Sequence, residues 1–226
     1  MRVAKTIAGS LLLAALLAGC GGFTYHRVEP GETLYSISWR YGMDFRTVAR
    51  WNHLRPPYTI YEGQQLRILP PGGEAAEATP PSAPVPAPVV STPPTHAPPP
   101  PAATALRWQW PAEGTLRQTF SDADISRKGI DIGGTSGEAI QAAAAGKVVY
   151  AGSGLLHYGK LIILKHNDNY LSAYAYNRVL RVKEGDVVTA GQRIADMGGR
   201  GRDPVLHFEI RYDGRPVNPL KYLPAR

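Results

Sequence analysis

The spacing of apolar side chains divides the chain into four stretches of different character. A largely apolar run, Ile7 to Leu17, follows Arg2 and Lys5 and ends in Leu17-Ala18-Gly19-Cys20; it is too short to span a bilayer. In residues 25–69 two strand-like runs, Tyr25 to Val28 and Gln65 to Leu69, enclose two helical stretches. Leu34, Ile37 and Tyr41 recur at helical spacing behind Thr33, a residue able to cap a helix start, and Phe45, Val48 and Ala49 repeat the pattern. Asn52 and the Pro56-Pro57 pair close the helical part, so the order predicted is β-α-α-β. From Pro70 to Pro101 no apolar period exists. Beyond it, residues 106–226 break into short apolar runs divided by glycines: Lys147 to Tyr150, Lys160 to Lys165, Tyr170 to Tyr176, Val187 to Val188, Gln192 to Met197 and Leu206 to Tyr212. This spacing predicts an antiparallel, all-β domain. In the last run Leu206, Phe208, Ile210 and Tyr212 share one face, and Val205, His207, Glu209 and Arg211 share the other.

Composition narrows the chemistry. A 226-residue chain that is 43% hydrophobic and 19% charged can build two small cores. Its single cysteine excludes an internal disulfide and any zinc site of several thiolates. The formal charge of +7 is spread as +2 over residues 1–19, +2 over 20–69, −2 over 70–104 and +5 over 105–226. No block of like charge and no basic face interleaved with aromatics stands out, which argues against nucleic acid as a partner.

The apolar run with its positive flank reads as a secretory signal covering residues 1–19. Its end, Leu-Ala-Gly-Cys, resembles the lipobox of bacterial lipoproteins. The resemblance implies acylation of Cys20 as the first mature residue, with residues 20–24 as a short lipidated tether of roughly 14 Å reach. Several acyl chains anchor stably, at about 0.8 kcal/mol per buried methylene. Gly21, rather than an aspartate, follows the cysteine, which under this resemblance points to the periplasmic face of the outer membrane.

Residues 25–69 resemble a LysM module over their full length, through Val28-Glu29-Pro30-Gly31-Glu32-Thr33-Leu34, Ile37, Asn52 with Leu54, Ile60 and Gly63-Gln64-Gln65-Leu66. The resemblance implies binding to the N-acetylglucosamine-containing backbone of peptidoglycan. The groove lies between the loop Gly31, Glu32, Thr33, Leu34 and the loop Leu54 to Ile60, which includes Tyr58 and Thr59. Gly31 permits close backbone approach, and Tyr58 and Ile60 supply apolar walls; Leu34, Ile37 and Ile60 read equally as core.

Residues 70–104 hold 13 of the 21 prolines within Pro70 to Pro101. Lacking backbone donors at those positions, the segment propagates neither helix nor sheet. It reads as a spacer reaching at most about 110 Å. The first module is then expected to stay near the membrane while the second domain, residues 105–226, explores the periplasm.

That second domain resembles the LytM-type, lysostaphin-like metallopeptidases of the duplicated-hybrid-motif type. Gly129-Ile130-Asp131-Ile132, Gly146-Lys147-Val148, Tyr158-Gly159, Tyr174-Ala175 and Leu206-His207-Phe208-Glu209 carry the match. Active members cut peptidoglycan cross-bridges with a zinc ion held by a His-x-x-x-Asp motif and the second His of His-x-His. Three such ligands leave an open position at which a water becomes a nucleophile near neutral pH. Carried over residue by residue, Asp131 and His207 stand at ligand positions, but Arg127 stands at the first. Val205 and Tyr176 replace the two assisting histidines. A guanidinium offers no lone pair. The expectation is a catalytically inactive domain with no metal or other cofactor; His166 and His157 do not replace what is lost.

Lipobox, one LysM module, proline-rich spacer and degenerate LytM domain together resemble the NlpD family of Gram-negative envelope lipoproteins. Members activate periplasmic N-acetylmuramoyl-L-alanine amidases during daughter-cell separation. Tyr176 departs from relatives that keep a histidine there. On this reading the old groove docks an acidic amphipathic helix of the amidase, with Arg127 near its centre, facing Asp131, and Arg200 and Arg202 beside it. An internal salt bridge for Arg127 and plain solvation of the 200–202 loop are the alternatives. A zinc endopeptidase and a passive anchor between outer membrane and cell wall remain the other two function classes.

Overall fold

A computed structural model describes residues 25–70, 106–124, 126–201 and 203–226. The expected signal and lipobox, Cys20, nearly all of the proline-rich segment, and Arg202 lie outside the described residues.

The N-terminal module runs β1 (Tyr25–Arg27), α1 (Leu34–Arg40), α2 (Phe45–Trp51), β2 (Gln65–Arg67). Its two strands pair antiparallel, with His26 opposite Leu66. Each helix begins at the residue whose side chain can satisfy its free amides. Thr33 and Ser36 form a reciprocal capping box on α1, and the Asp44 carboxylate accepts from the amides of Arg46 and Thr47 at α2. Leu34, Ile37, Phe45, Val48 and Leu66 make the core.

The C-terminal domain is built from β3 (Thr115–Gln118), β4 (Ile130–Gly133), β5 (Ala139–Gln141), β6 (Gly146–Gly152), β7 (Lys160–Lys165), β8 (Tyr170–Leu180), β9 (Val187–Val188), β10 (Arg193–Met197), β11 (Val205–Tyr212) and β12 (Arg215–Val217). A short 3-10 turn, Pro219–Lys221, follows, capped by Asn218. All pairings are antiparallel, in the order β3-β4-β11-β8-β7-β6-β9, with β10 bridging β5 and β8 and β12 on β11. Ile130, Ile132, Ile162, Tyr174, Leu206 and Phe208 fill the core beneath the central strands. Alternation revealed β6 to β11 in the sequence. It did not reveal β3, β4, β5 or β12, which are three or four residues long, too short for alternation to show.

The expectation that the two units move independently is corrected by their packing. Trp39, on the face of α1 away from its own core, is 3% exposed and packs with Val149, Leu161, Leu171 and Ala173 of the second domain. The Arg211 guanidinium stacks 3.5 Å from the Trp39 ring centroid and donates to the Trp39 carbonyl at 3.0 Å. Thr33 Oγ1 donates to the Val149 carbonyl at 3.1 Å, and Arg40 donates to the Gly154 carbonyl. Arg46 joins Asp44 and Asp213. At Gly214, with φ +76, an added Cβ would collide with the backbone of Asp44, so only glycine permits the approach. The Arg211 end of the polar face of β11 is thereby buried, and along the whole strand only Tyr212, its last residue, is exposed.

Trp39→Ala is expected to cost about 3 kcal/mol, in the usual range for truncating a buried aromatic, and to split one denaturant transition into two. A single transition with the midpoint unmoved would show that the modules do not depend on this contact.

Candidate functional site

Pairing register assembles the site. On β4 the core takes Ile130 and Ile132, which turns Asp131 to the opposite face; on β11 the core takes Leu206, Phe208 and Ile210, which turns out Val205, His207, Glu209 and Arg211. His207 lies opposite Asp131 on one side and opposite Ala175 of β8 on the other. The three segments singled out in the sequence therefore meet on one face.

A chain of buried charges runs along that face. His207 Nδ1 donates to Asp131 Oδ1 at 2.6 Å and Nε2 donates to Glu209 Oε1 at 3.1 Å. Tyr158 Oη donates to the same Glu209 oxygen at 2.8 Å, while Arg211 Nε and Nη2 donate to Glu209 Oε2, each at 3.2 Å. Burial alone would pull the His207 imidazole down, but its hydrogen bonds and charge contacts with Asp131 and Glu209 prevail and hold it up at about 9. The ring is therefore doubly protonated at neutral pH. Burial likewise works against the Glu209 carboxylate, yet Arg211 and His207 keep its pKa below the ordinary range. Burial pushes the Tyr158 phenol up, so it stays a donor.

The zinc ion implied by the resemblance does not fit these residues. Asp131 and His207 are two ligand-type side chains facing one another, but the side chain at the remaining ligand position, Arg127, offers no lone pair and is turned to Thr119. Asp131 is held by the same histidine. Among the described residues, no group of three or more His, Cys, Asp or Glu side chains is arranged to hold a metal.

Around this chain the surface opens into a cleft of about 690 Å³, lined by Tyr158, Tyr176, Leu156, His157, Lys128 and Arg200 among others. A smaller hollow of about 180 Å³, bounded by Arg117, Asp131, Asp203, Pro204 and Val205, lies on the other side of Arg200. Arg200 is thus the divider between them. Its Nη2 donates to Tyr176 Oη, its guanidinium lies 4.8 Å from that ring's centroid, and a backbone bridge to Asp203 fixes its loop. Tyr176 takes φ +62 within β8, a conformation strained for a residue with a side chain. The bend brings its carbonyl against Gly198, where an added Cβ would collide. The Tyr158 and Tyr176 rings flank His207 at centroid distances of 6.2 and 6.0 Å.

Arg127 is not where the sequence reading put it. It donates to the carbonyl and hydroxyl of Thr119, both at 2.9 Å, and lines neither hollow. The carbonyl and hydroxyl of one neighbouring loop residue match its fork of donors, and they leave Asp131 to His207. Arg200 supplies the groove's cation instead. His166 is also remote: its ring bonds the Ala145 carbonyl and the Ser172 hydroxyl and packs against Trp108.

In the N-terminal module, Glu32, Thr33, Leu34, Tyr58, Thr59 and Ile60 border one cleft of about 630 Å³, whose far wall belongs to the second domain. Gly31, at φ +75, and Leu54 stand outside that lining. Glu32 is held by His26 and Arg40, both at 2.6 Å, and Leu34 lies in the module's core. Sequence reasoning missed Trp39, Tyr158, Glu209 and Arg211 as site residues. The one available signal was the shared face of His207, Glu209 and Arg211.

Comparison with known proteins places a LysM domain at residues 26–69 and Peptidase family M23 at residues 126–219. The chain is 45% identical over 232 residues to "Lipoprotein NlpD/LppB homolog" of Pseudomonas aeruginosa, covering 88% of this chain and 76% of that one. It is 40% identical over 262 residues to "Murein hydrolase activator NlpD" of Salmonella dublin, covering 91% and 69%. It is 40% identical over 243 residues to "Uncharacterized lipoprotein YgeR" of Escherichia coli, covering 96% and 91%.

One pH dependence follows from His166. Burial lowers its pKa from 6.5 to about 4, so the unfolded chain takes up the proton first. The stabilisation is complete above about pH 6.5 and is lost as pH falls towards 4. In thermal unfolding, His166→Gln is expected to flatten the decline between these limits; an unchanged slope would contradict a neutral, buried ring.

Proposed function

We propose, from the premise that this chain belongs to the NlpD/LppB lipoprotein family, that it is a non-catalytic activator of murein hydrolases, acting on periplasmic N-acetylmuramoyl-L-alanine amidases. It is anchored through acylated Cys20 to the periplasmic face of the outer membrane. The LysM module holds it to peptidoglycan glycan strands, and the segment 70–104 is the spacer between the folded units. The groove of the C-terminal domain is the amidase-docking surface.

The observation that carries this reading is the incomplete donor set: Asp131 and His207 face one another, and Arg127, at the remaining ligand position, is turned to Thr119. Two such side chains fall short of the three protein ligands that a catalytic zinc takes. What remains is a shaped surface. The negative charges of Asp131 and Glu209 are answered internally by His207 and Arg211, so the cations facing the partner are Arg200, Arg117 and Lys128. That balance suits an acidic amphipathic helix lying across the groove, its apolar side on Leu156 and Tyr176.

The test is peptidoglycan release by an amidase with and without the full chain. Stimulation is expected to fall at least about tenfold in Arg200→Glu, the scale of losing a charge-assisted contact at an interface. It should stay within about twofold in Arg127→Glu, since Arg127 is spent on its own loop. Chelator-sensitive muropeptide release by the chain alone would establish an endopeptidase instead. Intact peptidoglycan binding without stimulation of any amidase would leave a passive anchor.

A further inference from the structure

We propose that the glycan groove of the N-terminal module is a two-domain site. In it the C-terminal domain, through Lys147 and Glu184, supplies the hydrogen-bonding wall for a strand of β-linked N-acetylhexosamines. The proposal rests on the reading of residues 25–69 as a glycan-binding module and adds its second wall.

The cleft of about 630 Å³ has two unlike sides. Leu34, Pro56, Pro57, Tyr58 and Ile60 form an apolar side on the N-terminal module. Facing them across the interdomain gap are Lys147, Lys165, Asp168 and Glu184 of the second domain. This polar side is balanced in charge: Lys165 Nζ meets Asp168 Oδ1 at 2.7 Å, and Lys147 acts electrostatically on Glu184. Partial desolvation beside the cleft pushes the carboxyl of the otherwise exposed Glu184 up, with Lys147 opposing.

An acidic ligand would meet two carboxylates here and a basic one two ammonium groups, so the wall selects neither. A hexosamine ring presents what the cleft offers to bind: apolar ring faces for Tyr58, Ile60 and the prolines, and a rim of hydroxyl and acetamido groups for paired donors and acceptors. The position of the wall is set by the interdomain seat. Thr33, at the head of the sugar loop, donates to the Val149 carbonyl. Val149 is two residues from Lys147 on β6, so the loop and the wall are held in fixed relation.

The experiment is calorimetric titration of the full chain with chitotetraose, a neutral β-linked N-acetylglucosamine oligomer. Lys147→Ala, Glu184→Ala and the isosteric Glu184→Gln remove exposed groups, and an unchanged thermal midpoint verifies that the seat is intact. Each is expected to bind about fivefold to tenfold more weakly, the scale of one or two lost polar contacts. Tyr58→Ala, on the opposite wall, is expected to weaken binding as well. Wild-type binding with Lys147→Ala and Glu184→Ala equally tight would overturn the second wall and leave the module's role standing. Failure of the wild type to bind would overturn the glycan-binding reading and this proposal with it.

Discussion

The structure turns on a buried cation. Arg211 is 1% exposed, and a guanidinium so placed is tolerated only if every donor is answered. Glu209 answers from the same strand, and the Trp39 carbonyl and ring answer from the other module. Without Trp39 the guanidinium would lose the carbonyl and the ring that answer it from the other module. The N-terminal module is therefore part of the sheet's packing, in addition to whatever it binds.

From Arg211 the alternation of charge continues through Glu209 and His207 to Asp131. Each member satisfies the next, and the series ends at the floor of the groove. Here the residues of the series neutralise one another. The strained backbone at Tyr176 and the position of Arg200 then give the groove its shape. A surface of this kind presents charge and contour to a partner, consistent with a family whose named members include a murein hydrolase activator.

Most of the fold could be read from the sequence because its signals are local. Thr33 and Asp44 announce helix starts, and the alternation from Leu206 to Tyr212 announces β11. The composition of the site was also legible, since Asp131, His207, Val205 and Tyr176 stand in recognisable motifs. Its wiring was not. No sequence signal singles out Trp39, and Arg211 is marked only by sharing a face with His207 and Glu209; their meeting across 172 positions of chain makes both core residues. Arg127 failed for a similar reason. A long side chain can reach several acceptors, and Arg127 is taken by the carbonyl and hydroxyl of Thr119 while Asp131 is taken by His207. The proline-rich segment suggested independence of the two units, because a spacer sets how far they can separate and says nothing of how well their surfaces match.

The central claim is that the two modules are one body joined at Trp39 and Arg211. Pulsed electron spin resonance tests it most directly, with labels at Glu62→Cys and Val187→Cys, both exposed positions, in a chain whose Cys20 is replaced. The expected result is a single narrow distance distribution that broadens when Trp39→Ala is added. A broad distribution in the labelled chain with Trp39 intact, as for two units free on a flexible spacer, would contradict it.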